Sequence, residues 1–110
     1  MVKRVLTAFF VMWSFGASAS CGDDDRAVGL EINKLYSHMH THYMQNTLDF
    51  RFVDSVMMSM NSTFNTLYQQ AFQIASRHNP TKCSEIREHG LAWVAEQRKI
   101  VLNEISSRKR

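Results

Sequence analysis

Three histidines, His38, His40 and His42, alternate within five residues. On a strand all three would face one way. On a helix His38 and His42 share a face one turn apart, and His40 points elsewhere. Two imidazoles at that spacing hold Zn²⁺ or Cu²⁺ only with ligands from elsewhere, because a closed zinc site needs four. His78 and His89 are distant in sequence, and no HExxH or second Cys/His cluster supplies the rest. The sequence therefore assigns no metal, and any such site would have to be built on His38 and His42. An imidazole also titrates near neutral pH, so the same pair offers a second chemistry, a pH response.

Other reactive constellations are missing. No GxSxG surrounds any serine, and no glycine-rich loop could cradle a phosphate. Asp23, Asp24 and Asp25 lack the glycine and bidentate glutamate of a calcium loop. The expectation is a protein that is not an enzyme and carries no cofactor. Asn61-Ser62-Thr63 fits the Asn-x-Ser/Thr glycosylation pattern. Beside a leader of bacterial type it reads as a chance match.

The methionines form the other unusual group. Met39, Met44, Met57, Met58 and Met60 fall close together, beside Phe50, Phe52, Phe64 and Phe72. Met57 and Met60 lie on a helical stripe and read as core. Met44, Phe52, Met58 and Phe72 fall off it. They either face a second neighbouring helix or form an adaptable surface for another protein.

The context for these residues is set by the start of the chain. Lys3 and Arg4 precede an apolar run from Val5 to Phe15, and Ala17-Ser18-Ala19 follows. That is the pattern of an export signal over residues 1–19, with a helical domain at 20–110. Lys3 and Arg4 are two of the 13 Lys+Arg, so the domain keeps eleven against ten Asp+Glu, a net charge of +1. Such a balance does not suit a nucleic-acid binder. The basic end, Arg108-Lys109-Arg110, falls short of the ~4–8 charges of a lipid-binding cluster, so no strong membrane binding is expected after signal removal. Cys21 and Cys83 are the two cysteines, and outside the cytoplasm the default is a disulfide between them. The alternative is lipid attachment at Cys21, whose preceding Ala19-Ser20 fits a lipobox while Ser18 does not.

Helices must position all of these residues. Val53, Met57, Met60, Phe64, Leu67, Ala71 and Ile74 are spaced 4, 3, 4, 3, 4 and 3, an a/d heptad pattern. It predicts a helix over 50–78. Val28, Ile32, Leu35, Met39 and Tyr43 predict an earlier helix over 24–47. Asn46, Thr47 and Asp49 are candidate caps at the boundary. One continuous kinked helix is the alternative, and its seam would stay unburied unless the protein formed oligomers. Asn79-Pro80 breaks the pattern, and with Thr81 as its cap a third helix follows to Ser106. Gly90 inside it costs about 1 kcal/mol against alanine, which a close helix crossing would explain. The expected architecture is all-α, an up-down-up three-helix bundle in which Cys21 and Cys83 start the first and third helices.

This layout of signal, small helical domain and single cysteine pair resembles exported accessory proteins of conjugative plasmids and phages. They include exclusion and host-killing proteins and periplasmic antiholins. The resemblance implies a non-enzymatic protein of the periplasm or cell exterior that acts by binding an envelope protein. A periplasmic pH- or metal-responsive binding protein or chaperone is the alternative.

Overall fold

A computed structural model describes residues 21–108, and within them every regular element is helical. The export signal expected at 1–19 lies outside the described residues. None of the described helices is long and apolar enough to cross a membrane.

Helix α1 spans Gly22–Met44. Asp23, Asp24 and Asp25 fill its first turn, where the helix dipole favours negative charge. Val28, Ile32, Leu35 and Met39 form its buried stripe. The helix ends at a corner in which Asn46 takes φ 63°, a left-handed conformation that asparagine tolerates. Asp49 then caps α2, Phe50–Thr63, by accepting a 2.8 Å bond from the Phe52 amide. The first two helices are therefore separate.

Helix α2 passes into a π turn, Phe64–Tyr68, and then into α3, Gln69–His78. The helical span expected at 50–78 is present, but its seam is not the predicted heptad. A π turn holds one residue more than an α turn, so it advances everything after it by about 100°. Before the turn Val53 and Met60 are buried, as the heptad requires. After it the buried residues are Phe72 and Ala75, while Leu67 and Ile74 are 56% and 54% exposed.

Pro80–Lys82 forms one 3₁₀ turn, and α4 spans Cys83–Arg108. Thr81 lies within the 3₁₀ turn and does not cap the last helix as expected. The Cys21 and Cys83 sulfurs are at disulfide distance, with Cα atoms 5.2 Å apart and both residues buried.

Cross-helix pairs show how the core closes. Between α1 and α4, Arg87 meets Asp24 at 2.8 Å, Gly90 meets Val28, and Arg98 meets Glu31 at 3.8 Å. Tyr36 donates to the Met57 carbonyl (3.2 Å) and Tyr68 to that of His89 (3.4 Å). Arg108 reaches Asp49 at 2.7 Å. Gly90 sits where α1 and α4 approach closely, which is the reason for a glycine in mid-helix.

Candidate functional site

The corner between α1 and α2 carries a largely apolar concave surface. Asp49 fixes the first turn of α2, so Phe50 projects from its first position back toward the end of α1. Its ring meets Tyr43 edge-on, centroids 6.3 Å apart. Behind them Tyr36, Val53 and Met57 line an open groove of about 500 Å³, with Ser37, His40 and Thr41 on its rim. The Tyr36 hydroxyl is committed to the Met57 carbonyl, and burial raises its phenol above the usual tyrosine range. Phe50 is 62% exposed, as is Met44 (66%), the last residue of α1. An aromatic-walled groove with a few hydroxyls suits an inserted apolar side chain, with Ser37 and Thr41 able to fix its orientation.

The residues singled out in the sequence are dispersed. Met44 and Met58 are exposed, and Phe52 is half-buried against the core. Phe52 and Met58 are six residues apart on one helix, hence about 120° apart around it, and share no face. Phe72 does not belong to any surface. It is 2% exposed and is core, because the π turn rotates it inward.

His38 and His42 do come together, ring centroids 4.7 Å apart. His42 Nδ1 lies 2.7 Å from the Thr47 hydroxyl, which itself donates to the His42 carbonyl (2.9 Å). The Thr47 amide donates to the same carbonyl (2.9 Å), so Thr47 ties both the ring and the backbone of His42. The Nε2 of His38 is buried with no hydrogen-bond partner. Burial chiefly holds its pKa below the usual histidine value, and His42 and Arg98 push the same way. No group of three or more His, Cys, Asp or Glu among the described residues is placed to hold a metal. A cation also stands beside His38, which opposes a second one there.

A pocket of mixed polarity, about 330 Å³, adjoins Cys21, lined by Asp25, Gln69, Phe72, Gln73 and Arg77 among others. Burial raises the Asp25 carboxyl, partly offset by its bond with Gln69 and the charge of Arg26.

Sequence reasoning missed Tyr36, Tyr43 and Phe50 as one surface. The available signal was the boundary itself: Asp49 as a cap forces Phe50 and Val53 to face the end of the preceding helix. No protein-family model, curated protein or solved structure matches this chain.

Proposed function

We propose that this chain is an exported, non-enzymatic protein of the cell envelope that binds another protein through the corner groove. The observation that carries the reading is the exposed Tyr43–Phe50 pair over a groove floored by Val53 and Met57. Exposed aromatic residues around an apolar pocket are the usual anchors of protein association. Export rests on the leader pattern of residues 1–19, and with it goes a periplasmic or secreted location. The bundle is read as up-down-up, a reading supported by the order of the pairs Asp24–Arg87, Glu31–Arg98 and Asp49–Arg108.

A photo-crosslinking residue in place of Phe50, with another in place of exposed Lys99 as control, tests the reading. The expected result is one envelope protein captured from position 50 and not from position 99. No product, or the same products from both positions, would overturn it. Service to a conjugative plasmid or phage is the finer proposal. Transfer or lysis genes beside this one are its expected context.

A further inference from the structure

His38 lies one helical turn before His42, which anchors the corner. The anchoring is double, because the Thr47 amide and hydroxyl both lie on the His42 carbonyl while that hydroxyl also shares a 2.7 Å hydrogen bond with His42 Nδ1. His42 thus has a partner at a ring nitrogen. His38 is different. An imidazolium must donate from both nitrogens, and its Nε2 is buried with nothing to accept. The charged groups that act on it are His42 on its own helix and Arg98 from α4. Glu31 holds Arg98 at 3.8 Å, and the arm Phe50–His78 adds no charge that acts on His38.

We propose that His38 is an acid-sensitive latch: when protonated it leaves its place against His42 and loosens the α1–α2 corner. The latch does not depend on the groove having a partner. It would make the shape of that groove a function of pH in a compartment exposed to outside acidity. The direction follows from the burial of Nε2. The folded state takes up the His38 proton at lower pH than the unfolded chain does. Stability is then full above the ordinary histidine value near 6.5 and falls as pH drops from there toward the folded pKa.

The test uses protein purified from cells that make the full chain. Ring-proton NMR follows His38 from pH 7.5 to 4.5, and hydrogen exchange follows the Asn46 and Thr47 amides. The expected midpoint for His38 lies below 6.5. Protection at Asn46 and Thr47 should fall as pH drops from 6.5 toward that midpoint. The Asp25 amide, bonded to the Cys21 carbonyl, should keep its protection. In His38→Gln the acid response of the corner should vanish. Arg98→Gln, which removes the opposing cation, should move the midpoint upward, and this variant decides the matter if His38→Gln does not fold. A midpoint at or above 6.5, unchanged protection across it, or an acid response that persists in His38→Gln would overturn the proposal.

Discussion

Gly90 and Val28 touch so closely that a Cβ on residue 90 would lie 2.8 Å from one Val28 methyl and 3.2 Å from the other. Valine has one free side-chain torsion and cannot swing both methyls away. Gly90→Ala gains about 1 kcal/mol of helix propensity. Overpacking at a rigid contact costs roughly 1–3 kcal/mol, so the net change is a loss of stability. Gly29, also helical, has open space around its missing Cβ. There Gly29→Ala should stabilise by up to about 1 kcal/mol. Urea denaturation of the two variants should give opposite signs, and Val28→Ala should relieve Gly90→Ala.

The cysteine pair closes a loop with a sequence separation of 62. In the chain-entropy model such a closure is worth roughly 4 kcal/mol, a large share of the stability of a small domain. Reduction, or Cys83→Ser, should lower the denaturation midpoint steeply and expose the chain to protease. A midpoint that does not respond to reductant would refute the bond's weight in this fold.

Phe72 and Ile74 separate the two possible seams of the second arm. Phe72→Ala should cost about 3–5 kcal/mol as a buried aromatic truncation. Ile74→Ala and Leu67→Ala, on the outer face, should change stability by no more than about 0.5 kcal/mol. A continuous α-helical heptad predicts the reverse order, so one set of melting curves distinguishes them.

Asp49 has two separate duties, capping α2 and holding Arg108. The bond from the Phe52 amide, and then Arg108, lowers its pKa below the usual aspartate value. Its contribution is therefore present above about pH 4 and lost as pH falls through the lower folded value. Asp49→Ala should lower the melting temperature at pH 7 more than Asp49→Asn does. Asparagine still accepts from the Phe52 amide but gives Arg108 no charge. Added salt should narrow the gap between wild type and Asp49→Asn, since the pair is exposed.

The helical elements were legible because each carries its own punctuation. Asn79-Pro80 marks a stop, Val28 to Met39 repeat at helical spacing, and Asp49 was one of three candidate caps, beside Asn46 and Thr47, from which the structure selects it. For Gly90 a close crossing was an explanation the sequence allowed without proving, and the contact with Val28 supplies it. The seam after Phe64 was not legible. Leu67-Ala71-Ile74 and Tyr68-Phe72-Ala75 are both apolar rows at helical spacing, one residue out of phase. Only packing against α1 and α4 selects the second, and the π turn is the local cost of that selection. The corner groove was hidden for a related reason. Tyr36, Tyr43 and Phe50 lie on two helices whose mutual position follows from the turn at Asn46, which no periodicity within one helix reports.

The two ends of α4 are fastened very differently. Cys83, its first residue, is joined to the start of α1, while Arg108, its last, meets Asp49 through an exposed ion pair. About 38 Å of helix separates them. Surface ion pairs part at little cost, whereas the sulfur bridge does not part at all without a reductant. The protein thus resembles a clothes peg, with a permanent pivot at one end and jaws at the other. Local opening is therefore expected to start at the Asp49–Arg108 end while the cysteine end holds.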